Sequence, residues 1–157
     1  MKKTVVILLF WIMVIPSGFA QLRTYSFEEA EKLAIENPKP TFVFIHTSWC
    51  KYCKLMENST FKNPEVIRLL NENFYFVSLD AESKKPITFN KHTFEYKPKG
   101  QNTGVHELAE ALGTIDGIVS YPSIAILDTN QTILYQQSSY IDSRKILVLL
   151  KEITKRH

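Results

Sequence analysis

Residues 41–57 read Thr41-Phe42-Val43-Phe44-Ile45-His46-Thr47-Ser48-Trp49-Cys50-Lys51-Tyr52-Cys53-Lys54-Leu55-Met56-Glu57. The first six are β-formers without polar alternation, the pattern of a central strand covered on both faces. The last four have helical character. Between them stand the only two cysteines of the chain, three residues apart. At a strand-to-helix junction, that spacing lets a disulfide close across one helical turn. The first cysteine then sits at the helix N-terminus, where unpaired backbone N–H groups and the macrodipole favour a thiolate over a thiol. A low thiol pKa at an exposed position is what thiol–disulfide exchange requires. The segment predicts a strand–turn–helix unit that carries a redox pair.

Upstream, Met1-Lys2-Lys3 is a short positive region and Val5 to Ile15 an unbroken apolar run of eleven residues. Gly18 and Ala20 then place small residues at the −3 and −1 positions for cleavage before Gln21. Residues 1–20 are therefore read as a secretory signal peptide, too short in its apolar run to span a bilayer comfortably. The alternative is a signal anchor that stays uncleaved. The expected address is the periplasm or the exterior, after cleavage near Ala20-Gln21. Taking residues 1–20 from the 157 leaves 137, the size of one domain with a proper core. Two cysteines make a poor framework for a secreted fold, so the count favours a working pair over a staple. The leader removes two lysines and no acid, which lowers the net charge from +3 to +1. That balance makes no electrostatic case for nucleic acid or a membrane surface.

Around the cysteine segment the elements alternate. Ser26-Phe27-Glu28-Glu29 is a capping box opening a helix that stops before Pro38. Asn63-Pro64 starts another, with proline at the first helical position. Phe74 to Leu79 is a second apolar strand. Residues 82–104 break the rhythm with scattered lysines, prolines and glycines around Ile87, Phe89, Phe94 and Tyr96. They read as an inserted loop or a small exposed hairpin turning near Asn90-Lys91. Val105 to Leu112 has one apolar face at helical spacing. Ser123 to Leu127 and Thr132 to Gln136 form a hairpin, and Asp142 or Ser143 caps a last helix. The order describes an α/β fold, a parallel βαβ half followed by a hairpin and a closing helix.

That order, with Trp49-Cys50-Lys51-Tyr52-Cys53 and a proline beginning a strand about seventy residues later, resembles the thioredoxin superfamily over most of residues 25–155. The chain is most similar to exported single-domain thioredoxin-like proteins of bacteria, through Phe61-Lys62-Asn63-Pro64-Glu65-Val66 and through His106-Glu107-Leu108-Ala109 before Tyr121-Pro122-Ser123. It also resembles the periplasmic C-terminal domain of membrane electron-transfer reductases. The resemblance implies a thioredoxin-like fold: a central mixed sheet flanked by helices, here spanning 21–157, with the 82–104 insertion before the helix preceding the cis-proline strand. It implies a cis Tyr121-Pro122 bond against the cysteines. It also implies thiol:disulfide oxidoreductase chemistry on protein thiols or disulfides, in a direction the residues do not fix; a reducing role in an oxidising compartment would need a membrane electron-transfer reductase as a partner. One position departs from the family: thioredoxins carry a buried aspartate six residues before the first cysteine, and here that residue is Phe44.

On this reading Cys50 is the nucleophile, partly exposed and aided by the charge of Lys51, and Cys53 is the resolving thiol, one turn further in. Trp49, Lys51, Tyr52, Tyr121 and Pro122 are the expected substrate-binding residues, since flat apolar rings suit an extended peptide. Glu57, one turn after Cys53, and His46 are the candidates for a proton relay that Phe44 cannot supply. The redox-active disulfide Cys50-Cys53 stands in place of a cofactor, and a monomer is expected. Zinc on His46, Cys50 and Cys53 would need His92 or His106 as a fourth ligand, and no second ligand pair accompanies them, so no metal is expected. The rival reading is a binding adaptor or chaperone whose disulfide is structural. A reduction potential below about −300 mV marks a structural bond and a higher one a working pair.

Overall fold

The structure is a computed structural model that describes residues 21–156; the signal peptide expected at 1–20 lies outside the described residues. In chain order the elements are α1 (Phe27–Glu36), β1 (Thr41–His46), α2 (Lys51–Asn58), a 3-10 turn (Thr60–Lys62), α3 (Pro64–Asn73), β2 (Tyr75–Asp80), β3 (Ile87–Phe89), β4 (His92–Phe94), β5 (Tyr96–Pro98), β6 (Gly104–His106), α4 (Glu107–Gly113), β7 (Thr114–Ile115), β8 (Ile118–Val119), β9 (Ser123–Leu127), β10 (Ile133–Ser138) and α5 (Ser143–Arg156). The main sheet has the order β10-β9-β1-β2. β1 runs parallel to β2 and antiparallel to β9, which pairs antiparallel with β10. The sheet is therefore mixed and the fold is thioredoxin-like α/β.

The apolar continuity of β1 has a direct use. Successive side chains of a strand point to opposite faces. Phe42 and Phe44 enter one core cluster with residues of α2, α3 and α5. Val43 and Ile45 enter the other with residues of α1 and α4. β2 and β9 divide in the same way, with Phe76, Ile124 and Ile126 on the first face and Val77, Ala125 and Leu127 on the second. Both cysteines belong to the first cluster.

The helix starts follow their capping chemistry. Ser26 Oγ accepts the N–H of Glu29 at 3.1 Å while Glu29 accepts that of Ser26 at 2.8 Å, a complete capping box. Asn63 Oδ1 accepts the N–H groups of Glu65 and Val66 ahead of α3. At α5 the cap is Asp142, whose carboxylate accepts from Arg144 and Lys145; these backbone donors lower its pKa.

Two sequence expectations change. The helix expected from Val105 begins at Glu107, because Val105 and His106 pair in β6 with Lys97 and Tyr96 of β5. Residues 82–104 are neither a loop nor one exposed hairpin. They supply one short hairpin, β3–β4, and the first strand of a second, β5–β6. Asn90 and Lys91 do form the first turn, both at positive φ (50° and 63°), as a two-residue hairpin loop demands. That hairpin is docked: Phe89 is buried 4.9 Å from the ring of Phe27 on α1. Its backbone is held from the same helix, by Glu28 on the N–H of Thr88 and Glu31 on that of Asn90. Ile87, Phe89 and Phe94 of the insertion thus complete the second core cluster, across the sheet from the cysteines. Phe89→Ala is expected to cost about 3 kcal/mol of unfolding free energy, as for a core phenylalanine. Urea denaturation checks it; an exposed hairpin would lose no more than about 0.5 kcal/mol.

Candidate active site

Cys50 stands just outside α2 as its N-cap. Its backbone is extended, and its Sγ accepts the N–H of Cys53 at 3.1 Å. Its carbonyl accepts from Lys54 at 3.1 Å, and its own N–H reaches the carbonyl of Thr47 at 3.3 Å. A sulfur therefore does here what a serine oxygen does at other helix starts, satisfying one of the orphan N–H groups of the first turn. The two cysteines are joined, with S–S 2.06 Å.

Cys53 is fully buried and Cys50 is only 5% exposed, less open than its expected role suggested. The closed bond ties the Cys50 sulfur to that of Cys53, inside the cluster of Phe42, Phe44, Met56 and Phe61, with Tyr121 packed against it. The flanking residues are the open ones: Trp49 is 64% and Tyr52 63% exposed. Lys51 is exposed beside them on the first turn of α2.

The exposed Trp49 is nonetheless held. Its Nε1–H donates to Glu82 at 3.1 Å and its ring meets Tyr121 edge-on at 6.1 Å. Pro122 is buried behind Tyr121, and the bond between them is cis. Burial pushes the Tyr121 phenol up to about 12, with Glu82, Glu110 and Asp80 adding to the rise, so it stays a neutral donor. Tyr52 pairs instead with Tyr140, 6.3 Å away in the segment between β10 and α5. Glu82 and Tyr140 carry no signal in the sequence, because each is brought to the cysteines only by the packing of distant elements.

His46 ends β1 on the face of Phe42 and Phe44, stacked on Phe44 at 5.3 Å, with Nε2 2.9 Å from Ser78 Oγ of β2. Burial lowers its pKa; the carboxylates of Glu57 and Asp80 pull the other way, and Lys54 adds to the lowering. Glu57 itself faces Lys54 at 3.6 Å. His92 and His106 are not brought to the cysteines. His106 is fully buried as the N-cap of α4, its Nδ1 accepting the N–H of Leu108 at 3.2 Å and its Nε2 3.1 Å from the carbonyl of Lys85. His92 is exposed on β4, where its ring lies 4.6 Å from that of Phe94. Among the described residues no three His, Cys, Asp or Glu side chains gather as a metal site.

With this geometry established, comparison with known proteins decides the family: residues 27–154 match the thioredoxin-like domain. The chain belongs to the thioredoxin-like domain family. Spermatogenesis-associated protein 20 of Mus musculus is 42% identical over 60 residues, 38% of this chain and 8% of that protein. The chain thus matches under a tenth of the length of that curated relative. A solved DsbH oxidoreductase superposes with a TM-score of 0.62 at 18% identity, covering 92% of each chain. The reduced C-terminal domain of DsbD from Neisseria meningitidis does so with a TM-score of 0.54 at 17% identity, covering 78% of this chain and 89% of that one. At such identities these structures share the fold. In this thioredoxin-like chain the strand–turn–helix unit, the cysteine pair at the helix start and the Tyr-Pro before β9 occupy one site.

The environment of His46 has a pH consequence. Its pKa is lowered below the ordinary 6.5 in the folded chain, so the unfolded chain binds the proton more readily. The stability this gives is fully present above pH 6.5 and is lost as pH falls through the folded-state value. His46→Gln should remove that segment of the stability–pH curve, whose slope for one proton is at most about 1.4 kcal/mol per pH unit. Urea unfolding of both chains between pH 7 and 5 measures the difference; parallel curves would sink the assignment.

Proposed function

We propose that this thioredoxin-like chain is an exported thiol:disulfide oxidoreductase that exchanges its Cys50–Cys53 disulfide with protein thiols through a mixed disulfide. The observation that carries the reading is the Cys50 sulfur at the N-cap of α2, accepting the Cys53 N–H at 3.1 Å. When the bond is open, that N–H and the positive end of α2 stabilise the Cys50 thiolate, as charge-assisted donors do. The exposed Lys51 adds a positive charge next to it.

The thiolate attacks one sulfur of a partner disulfide, forming the Cys50–partner bond and releasing the other partner sulfur as a thiolate. Cys53 then gives up its proton and attacks Cys50 Sγ, which closes the internal disulfide and frees the second partner thiolate. Two electrons pass from the cysteine pair to the partner, and the reverse sequence oxidises a partner dithiol. Trp49 and Tyr52 offer open aromatic surface beside Cys50 for an extended protein segment, bordered by the half-buried Tyr121 and the buried Pro122. A monomer is the working form this reading proposes, since it needs only the cysteines and flanking residues of one chain.

Residues 1–20 carry the export reading. In an oxidising compartment a reducing role needs electrons delivered from the membrane, which makes a membrane electron-transfer reductase the fitting partner.

In a coupled insulin-reduction assay, Cys50→Ser should reduce activity to background, whereas Cys53→Ala should accumulate a covalent adduct with the partner that thiol reductant releases. Full activity of Cys50→Ser would overturn the function, and a Cys53→Ala chain that never forms an adduct would overturn the mixed-disulfide route.

A further inference from the structure

Opening the disulfide leaves Cys53 with a proton and no evident place to put it. Its side chain is fully buried in the cluster of Phe42, Phe44, Met56, Phe61 and Leu70, and the two tyrosines packed on that cluster, Tyr121 and Tyr135, have phenols whose pKa burial raises, so neither serves as a base. Apolar burial keeps a thiol protonated, yet only the thiolate attacks a mixed disulfide. The proton therefore has to reach a group at the margin of the cluster.

The sheet narrows the choice. Side-chain alternation puts His46 on the same face as Phe42 and Phe44, the face that receives Cys53 and Met56 of α2. Its ring lies flat on Phe44 at 5.3 Å. The charged groups that face it are Lys54 and Glu57 from α2 and Asp80 from β2. Glu57 is opposed by Lys54 at 3.6 Å, and Asp80 accepts the N–H of Glu82 at 3.0 Å, so each carboxylate already has a partner. His46 has one partner, Ser78 Oγ, at Nε2. With Nε2–H donating to that oxygen, the lone pair of Nδ1 is left to accept a proton. Burial keeps the ring neutral, the form a base requires.

We propose that His46 takes the proton of Cys53, directly or through one water, in the resolving step of exchange. The proposal deepens the exchange reading above and rests on it. In the step, the Cys53 S–H bond breaks and an N–H bond forms on His46. The Cys53 thiolate attacks Cys50 Sγ, the Cys50–partner bond breaks, and the departing thiolate carries away the electron pair. The imidazolium then returns its proton to solvent.

The test uses the reduced chain mixed with one equivalent of 5,5′-dithiobis(2-nitrobenzoate). The first aromatic thiolate reports attack by Cys50, the second reports closure by Cys53. His46→Gln should leave the first release unchanged and slow the second about 100-fold at pH 7, the usual scale of a lost general base. In the unsubstituted chain the second release should rise as pH climbs through the lowered His46 pKa and then level off. In His46→Gln it should rise only toward the thiol pKa, above about 8.5 for a buried cysteine. Ser78→Ala, which keeps the imidazole but frees Nε2, should shift the midpoint of the second release and leave the first in place.

Equal slowing of both releases by His46→Gln would mean a structural role and overturn the proposal. So would a loss carried by Glu57→Gln in its stead. An unsubstituted chain that releases no aromatic thiolate would instead sink the exchange function, a result distinct from either.

Discussion

Strand β1 has a neighbouring strand on each side and an apolar cluster on each face, and that confinement governs the rest of the molecule. Its six residues leave the chain no freedom until His46, so the turn that follows always emerges at the same edge of the sheet. Cys50 ends that turn, and its sulfur takes the Cys53 N–H that the helix would otherwise leave unpaired. The redox pair is thus built from two ordinary demands, burial of a strand and capping of a helix. The exchange chemistry proposed above draws on the same contact, since the Cys53 N–H that donates to the capping sulfur also steadies a thiolate.

The two faces of the sheet divide the labour. The face holding Phe42, Phe44 and the cysteines is closed by α2, α3 and α5, and its cluster is almost wholly apolar. On the exchange route proposed above, such surroundings suit a resolving thiol kept out of solvent, and the proposed proton transfer falls to the edge of the cluster, where His46 stands. The other face is closed by α1, α4 and the docked β3–β4 hairpin. Phe89 and the carboxylates of Glu28 and Glu31 tie that hairpin to α1, so the apolar side chains of the insertion serve stability on the side away from the cysteines. Glu82, the first residue of the insertion, is the exception: it reaches back to hold the indole of Trp49.

Much of this was legible in the residues. The unbroken run Thr41–His46 marked a central strand, the Ser26/Glu29 pair and Asn63-Pro64 marked two helix starts, and Asn90-Lys91 marked a turn. These are local signals, read by neighbouring backbone atoms, and they survive in any tertiary setting. Val105 misled because its helical spacing to Leu108 and Leu112 is real, but pairing with Lys97 wins two residues of backbone for β6. His106 gave no hint that it would cap α4 with Nδ1, since histidine is a less common cap than serine, asparagine or aspartate. The exposure of Cys50 was overestimated because spacing alone does not say how deeply a closed disulfide is drawn into the core.

By itself the sequence determined the strand, the helix that follows it and the two sulfurs at their junction, because these depend on contacts within a few residues. Tertiary structure alone decided what surrounds them. Glu82 on Trp49, Tyr140 beside Tyr52 and Ser78 on His46 are 33, 88 and 32 residues away from their partners along the chain. Contacts at that separation leave no periodic trace in the sequence; they exist only because sheet register and helix packing bring separate segments to one edge.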